Sequence, residues 1–319
     1  MIDYPPPVRG RLFHEALSEP KRPWWVAPLA LVTFAGSIVA ISVLLSFAAV
    51  ELDVVLGITT DADVAEGALQ ITPTLFLANN LLLASLIPLS MLIQWAFFGV
   101  RPRWMHSVTG IWRWRLVGRS ALFIVPIFLL YTGIGLIVSA ASLLTEPPSG
   151  TTIALLVIIV LTTPFQAAGE EYGFRGFLAR TVGSWSSRSG VSFAIATTVT
   201  SIVFAIVHFA ADPWLIAYYL LFGVAMSLIV RATGGLEVAV LIHVLNNVLL
   251  LIPAVVLSTL EESLNRDVGA AGPFALVPMA VITIITVIVL RWAKRPGIVE
   301  SARVPPGRLA RSVRKSDVE

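Results

Sequence analysis

The sequence predicts an all-α protein, a polytopic transmembrane helical bundle with about eight spans. Of its 319 residues, 57% are hydrophobic and only 13% are charged, which is about half the charged fraction of an average soluble domain. So few charges cannot cover a water-exposed surface, and the main solvent of the chain is therefore lipid. The hydrophobic residues also form long continuous runs, whereas a transmembrane β-barrel has alternating segments of about 10 residues.

Eight hydrophobic runs account for the predicted spans. Each run is long enough for an α-helix, which rises 1.5 Å per residue, to cross about 30 Å of hydrocarbon. In chain order, the runs are residues 25–50, 72–99, 120–143, 152–169, 191–211, 214–230, 236–258 and 273–291.

The charges between the runs predict the orientation of the helices. If every run spans the membrane, all Lys and Arg residues except Arg266 fall on one side, whereas the charges in loop 51–71 on the other side are all acidic. By the positive-inside rule, both termini are then cytoplasmic. Residues 1–23 and 293–319 form cytoplasmic tails, the second one basic, around the transmembrane domain 24–292. Both tails mix proline, glycine and charge without hydrophobic periodicity, so we expect them to be flexible.

The excess of positive charge does not indicate a nucleic-acid partner. Segment 101–119 combines several arginines with three tryptophans. Tryptophan favours the headgroup level of a bilayer and arginine favours anionic lipid, so we interpret this segment as interfacial. The predicted partner is therefore the lipid bilayer. The absence of cysteine excludes disulfides, thiolate metal ligands and cysteine nucleophiles.

Polar side chains inside the predicted spans, or directly after the fourth one, mark the candidate functional site. An ionisable residue costs roughly 2.5–3.5 kcal/mol at the centre of a membrane helix, so such residues are rare outside functional sites. Helical spacing places Glu171 on the same face as Arg175 and turns Glu170 about 100° away. The complete set consists of Glu170, Glu171, Arg175, His208, His243, Asn246 and Asn247.

This set contains the groups needed to hydrolyse an amide without a covalent intermediate. Its unpaired carboxylate can act as a general base on water, and one histidine can orient that water or protonate the leaving amine. The second histidine and an asparagine amide can donate hydrogen bonds to an oxyanion. A serine nucleophile is less attractive because no Gly-x-Ser-x-Gly motif occurs. The residues leave a second possibility open, in which Glu170, His208 and His243 ligate zinc with water in the fourth position.

Simpler interpretations apply to some of these residues. We interpret Glu171 and Arg175 as a structural ion pair, which is how a folded helix tolerates charge. Asn246 is interpreted as the donor or acceptor of an interhelical hydrogen bond. His14 and His106 lie outside the runs and are interpreted as incidental. The joint occurrence of all the polar segments still favours a functional site.

At these residues the sequence resembles the CPBP family of intramembrane glutamic endopeptidases, also called the Abi family. That family includes type II CAAX prenyl proteases and bacterial proteins linked to bacteriocin self-immunity. The resemblance lies within about residues 165–250 of a core at about 150–258. Three motifs carry it, namely Glu170-Glu171-x-x-x-Arg175, Phe204-x-x-x-His208 and His243-x-x-x-Asn247.

The resemblance implies a role for each matched residue. Glu170 would activate the water, and His208 would help to hold it. His243 and Asn247 would form the oxyanion site, while Glu171 and Arg175 would hold the helix in place. The family is generally taken as metal-free, so no cofactor is expected, and zinc at Glu170, His208 and His243 remains the alternative.

The leading functional prediction is an endopeptidase that cleaves a membrane-associated or lipidated, CAAX-like protein or peptide within a bacterial plasma membrane. One alternative is a protein of the same fold that binds without cleaving, such as an immunity or scaffold factor. Another is an ion-coupled transporter with a relay of buried Glu and His. Transporters repeat broken polar helices in both halves of the chain, but here the ionisable groups within the runs lie in one half, which disfavours that alternative.

The predicted depths of two candidate residues disagree. His208 lies about 25 Å from the start of the fifth run, whereas His243 lies only about 10 Å from the start of the seventh, and both starts are on the same side. Tilted or bent helices, or shifted run boundaries, are needed to bring them together. Gly169, Gly173 and Gly176 would allow a neighbouring helix to come close to the glutamates.

Overall fold

The structure is a computed structural model in which most of the chain is described. Residues 1–9 and 299–319, which belong to the two predicted tails, lie outside the described part. The described residues are 10–18, 21–67, 70–139 and 149–298.

Helices make up nearly all of the regular structure in these ranges. A helix satisfies its backbone hydrogen bonds internally, which hydrocarbon requires of a spanning segment. The α-helices are α1 (Val26–Val55), α2 (Asp61–Glu66), α3 (Pro73–Phe98), α4 (Trp114–Ser139), α5 (Gly150–Glu171), α6 (Ala179–Gly183), α7 (Ser189–Ile206), α8 (Pro213–Thr233), α9 (Glu237–Val256), α10 (Leu260–Leu264) and α11 (Leu276–Ala293). Short 3-10 helices cover Phe13–Glu15, Pro102–Met105 and Pro273–Ala275, and a π-helix covers Tyr172–Leu178.

Eight helical segments of the described chain are long and apolar enough to cross a membrane. Their ends lie within six residues of the predicted run boundaries, with one exception. The predicted fold class, an all-α polytopic transmembrane bundle, is therefore confirmed, and the chain is an integral membrane protein.

The exception is the fourth span, which continues to Gly183 instead of ending at 169. The hydrophobic run stops at Glu170, but Glu170, Glu171 and Arg175 are all buried inside the protein. Because these side chains contact other side chains and not lipid, the helix continues through them. The polar set therefore lies inside the bundle and not in a loop at its surface.

The fourth span lies at the centre of the bundle. Helix α5 packs against both α3 and α9, while α8 packs against both α7 and α11. At Gly169 a Cβ atom would come within 1.8 Å of the carbonyl oxygen of Leu83. Only glycine allows the backbone of α3 to pass this close to the turn that carries the two glutamates, as its position in the sequence predicted.

Residues 12–17, which we call the N-terminal segment, are packed into the bundle. The prediction of a flexible tail is wrong for them, because Phe13 and His14 are buried among α6, α7 and α8. The reason is the guanidinium of Arg180, which is fully buried and needs acceptors. Its Nε donates to the carbonyl oxygen of Phe13 at 3.1 Å, and its Cζ lies 3.8 Å from the centre of the Phe13 ring.

Segment 101–119 is interfacial only in part. Trp114 is 74% exposed, as expected at a membrane surface, but Met105 and Val108 are buried. The backbone of this segment bonds to the connection between α8 and α9, where Leu236 N donates to the carbonyl oxygen of His106 at 3.0 Å. Helix α9 therefore begins inside the protein, where Leu236 and Glu237 are fully buried.

Candidate active site

The candidate site lies where α5 changes into the π-helix. Glu170 and Glu171 are the last two residues of α5, and the π-helix begins at Tyr172. π-Helical turns are rare, and they occur frequently at functional sites. The change in helix geometry therefore agrees with the location that the motifs predicted.

The imidazole of His243 lies between the two carboxylates. Its Nδ1 is 2.8 Å from Glu171 Oε1, and its Nε2 is 3.8 Å from Glu170 Oε2. An ionised carboxylate can only accept a hydrogen bond, so Nδ1 carries a proton that it donates to Glu171. This contact fixes the ring and turns Nε2 towards Glu170.

Arg175 connects this pair of glutamates to the rest of the bundle. Its Nη1 donates to Glu171 Oε1 at 3.0 Å, and its Nη2 donates to the carbonyl oxygen of Gly223 at 3.3 Å. The interpretation of Glu171 and Arg175 as a purely structural pair is therefore incomplete. Glu171 shares one oxygen between Arg175 and His243, so it also orients a candidate catalytic side chain.

A chain of hydrogen bonds reaches the other oxygen of Glu170. Gln166 Nε2 donates to Glu170 Oε1, and Gln166 Oε1 accepts from Asn247 Nδ2 at 3.0 Å. Asn247 Oδ1 accepts from Asn246 Nδ2 at 3.2 Å, and Asn246 Oδ1 accepts from the Tyr218 hydroxyl at 2.8 Å. The last contact joins α9 to α8, in agreement with the interhelical role inferred for Asn246.

Gln166 and Tyr218 were missed by the sequence reasoning. Gln166 is four residues before Glu170, so helical spacing alone places it on the same face. Tyr218 gives no comparable local signal, because its partner Asn246 is 28 residues away on another helix.

His208 lies beside this network without a hydrogen bond to it. It follows the end of α7, its Nδ1 is 2.6 Å from the carbonyl oxygen of Phe204, and its ring stacks on Tyr219 with 3.9 Å between centroids. Because the carbonyl only accepts, Nδ1 carries the proton, and Nε2 of the neutral ring has a free lone pair. Phe204 lies between His208 and His243, with ring centroids 4.5 and 6.0 Å from theirs.

The residues do not form a metal site in this arrangement. Within the described ranges, no group of three or more His, Asp or Glu side chains is placed to hold a metal ion. Nδ1 of His243 is bonded to Glu171, and Nδ1 of His208 to a backbone carbonyl. A histidine that binds zinc through Nε2 usually makes the same kind of Nδ1 hydrogen bond, so the choice between metal-free and zinc chemistry stays a prediction.

His106, which the sequence reasoning treated as incidental, contacts the residue that follows the two glutamates. Its Nδ1 forms a hydrogen bond with the hydroxyl of Tyr172. Burial lowers the pKa of His106, and the charge of Glu237 opposes this shift. The neutral ring therefore connects segment 101–119 to the first residue of the π-helix.

Comparison with known proteins supports the motif assignment. The model of the family described as "Type II CAAX prenyl endopeptidase Rce1-like" matches residues 151–249. This range runs from α5 to α9 and contains every candidate residue named from the sequence. Comparisons with curated proteins and with solved structures gave no match. Over residues 151–249, just under a third of its length, this membrane protein is therefore similar to the Rce1-like CAAX protease family.

Proposed function

We propose that this protein is an intramembrane endopeptidase in which Glu170 activates water to hydrolyse a peptide bond. The substrate is a membrane-associated or lipidated, CAAX-like protein or peptide. The observation that carries the proposal is the buried arrangement of Glu170, His243, Glu171 and Arg175, in which one carboxylate faces an imidazole that a second carboxylate orients.

Glu170 acts as the general base. It takes a proton from water while the water oxygen bonds to the carbonyl carbon of the substrate, and the carbonyl π electrons move to its oxygen. When the tetrahedral intermediate collapses, the C–N bond breaks and the protonated Glu170 returns its proton to the leaving amine. His208 assists by accepting a hydrogen bond from the same water through Nε2, its unprotonated nitrogen.

His243 and Asn247 stabilise the negative oxygen of the intermediate. Protonated His243 has two N–H groups, and because Nδ1–H is bonded to Glu171, the Nε2–H is left for the substrate oxygen. Asn247 has two amide hydrogens, of which one is bonded to Gln166. The second is available to the substrate. Glu171 stabilises the positive charge on His243, and Arg175 holds Glu171.

We also propose the setting of this reaction. The protein lies in a bacterial plasma membrane with both termini in the cytoplasm, because Arg266 is the one basic residue that the eight spans place on the opposite side. Reporter fusions at each terminus would contradict this orientation if they reacted with reagents confined to the outside.

The test is cleavage of a library of lipidated and transmembrane peptides by the purified protein in detergent, with and without a metal chelator. Cleavage that continues with chelator supports the metal-free mechanism. Cleavage that the chelator abolishes and added zinc restores would overturn it in favour of a zinc site. If the folded protein cleaves nothing in a broad library, the proposal fails and a non-cleaving immunity or scaffold protein, or an ion-coupled transporter, takes its place.

A further inference from the structure

The amides next to Glu170 all point the same way along their hydrogen-bond chain. Tyr218 donates to Asn246, Asn246 to Asn247, Asn247 to Gln166, and Gln166 to Glu170. The chain crosses from α8 through α9 to α5 and ends on the carboxylate that acts as base. No family motif in the sequence includes Gln166 or Tyr218, so their part in the site comes from the structure.

The ends of the chain determine its direction. The oxygen and nitrogen of an amide are difficult to distinguish in isolation, and their orientation is assigned from the surrounding hydrogen bonds. An ionised Glu170 only accepts, so Gln166 must present its NH2 group to it and its oxygen to Asn247. The same argument then orients Asn247 and Asn246, and it leaves the Asn246 oxygen for the Tyr218 hydroxyl, which donates.

We propose that Gln166 is a positioning residue for the reaction, because it holds Glu170 and Asn247 at the same time. By binding Oε1 of Glu170, it leaves Oε2 facing Nε2 of His243. By accepting one N–H of Asn247, it leaves a single N–H for the substrate oxygen. This inference rests on the proposed function, in which Glu170 is the base and Asn247 stabilises the oxyanion.

Asn80 provides a matched control for the ordinary effect of losing an interhelical amide. It is a buried amide on α3 that donates to Thr162 Oγ1 at 2.8 Å and Thr163 Oγ1 at 3.0 Å on α5. Like Gln166, it forms side-chain hydrogen bonds between helices of the core, but it does not contact the carboxylates. Asn80→Leu therefore reports the cost of removing polar contacts between helices.

The first experiment compares kinetic constants of wild type, Gln166→Leu and Asn80→Leu on one peptide substrate. Leucine has nearly the same size as glutamine and forms no hydrogen bonds. Gln166 acts on the reacting groups, so we expect kcat to fall about 10- to 100-fold with little change in KM. We expect Asn80→Leu to keep the wild-type kcat. An unchanged kcat in Gln166→Leu, or an equal loss in both variants, would overturn the proposal.

The second experiment does not depend on activity. The chain contains three glutamines, Gln70, Gln94 and Gln166, so selective 15N labelling gives three side-chain NH2 signals, and Gln166→Leu identifies one of them. We expect Glu170→Met, which removes both acceptor oxygens, to shift that signal and Asn80→Leu to leave it unchanged. A signal that stays unchanged in Glu170→Met would overturn the hydrogen bond itself. A protein that shows the shift but cleaves no substrate would support the chain of hydrogen bonds and overturn the proposed function.

Discussion

At the scale of single residues, Glu171 accepts hydrogen bonds from side chains on two different helical segments. Arg175 binds it from the π-helix and His243 from α9, both through Oε1. The first contact neutralises a fully buried guanidinium, and the second orients the proposed oxyanion donor. A substitution at this residue therefore changes stability and activity by separable routes.

We predict that Glu171→Gln destabilises the protein by about 3–5 kcal/mol, because it leaves Arg175 buried without a counter-charge. The double variant Glu171→Met, Arg175→Met removes both charges, so its stability should return towards that of wild type. Its cleavage rate should stay low, because His243 still lacks its partner. Unfolding midpoints and cleavage rates of the two variants check this.

Recovery of both stability and cleavage in the double variant would contradict the orienting role of Glu171. The ion pair would then be purely structural, as the sequence alone suggested.

The sequence predicted the charged members of the candidate site together with Asn246 and Asn247, but it missed Gln166 and Tyr218. A charge inside a span is costly enough to be conspicuous, so Glu170, Glu171 and Arg175 stood out from their surroundings. Neutral amides occur widely as hydrogen bonds between membrane helices, and for that reason Gln166 carried no comparable signal. Its role depends on Asn247, which only the packing of α9 against α5 brings into contact with it.

At the scale of elements, Arg180 connects the N-terminal segment to two other parts of the chain. Besides Phe13, its guanidinium donates to Gln94 Oε1 on α3 at 2.8 Å and to the carbonyl oxygen of Trp104 at 2.7 Å. Arg180 contacts both the carbonyl oxygen and the ring of Phe13, so we expect the attachment of this short segment to depend on it.

We predict that Arg180→Leu releases the N-terminal segment, because the Phe13 carbonyl and ring both lose their partner. Hydrogen exchange of a peptide covering residues 12–17 should accelerate at least about 10-fold, which corresponds to the loss of about 1.4 kcal/mol of local stability. Arg115→Leu, at a more exposed position on α4, serves as control. Unchanged exchange in Arg180→Leu would show that hydrophobic contacts alone hold the segment.

The burial of His14 leads us to expect that the attachment of this segment depends on pH. The side chain is buried against Phe193, with 5.3 Å between ring centroids, and burial lowers its pKa from the usual 6.5. The charges of Arg231 and Arg180 act in the same direction, while Glu15 opposes them. The detached segment therefore binds protons more readily than the packed one between the lowered pKa and 6.5.

We predict that the N-terminal segment loosens as the pH falls below about 6.5. Hydrogen exchange of residues 12–17, corrected for its intrinsic pH dependence, should lose protection between pH 7.5 and 5.5. The variant His14→Phe keeps an aromatic ring without a titrating group and should lose less protection over the same range. Equal losses in the two proteins would exclude His14 as the cause.

The helices themselves were predictable where hydrophobicity decides their ends. The prediction failed at the fourth span and in the N-terminal segment, where partners distant in sequence decide the structure. Glu170 and Arg175 continue a helix because other helices surround them, and Phe13 is buried because Arg180 lies 167 residues further along the chain. Neither contact leaves a local pattern in the sequence.

At the scale of the whole molecule, composition and run lengths determined the fold class, but the arrangement of the eight spans could not be read from them. All spans are similarly apolar, so small residues and polar contacts determine which helices pack together in lipid. The close contact between the backbone of Leu83 and Gly169 is one such determinant. It places α3 against the glutamate turn of α5, while α9 brings His243 and Asn247 to the opposite side.

The central claim is that Glu170 is the base that activates water, and the cleavage rate of Glu170→Gln tests it most directly. Glutamine has nearly the same shape but cannot accept the proton of water, so we predict a fall in kcat of about 10²- to 10⁴-fold with an unchanged unfolding midpoint. Glu261→Gln, an exposed carboxylate on α10, should cleave at the wild-type rate. A folded Glu170→Gln protein that cleaves as fast as wild type would contradict the account.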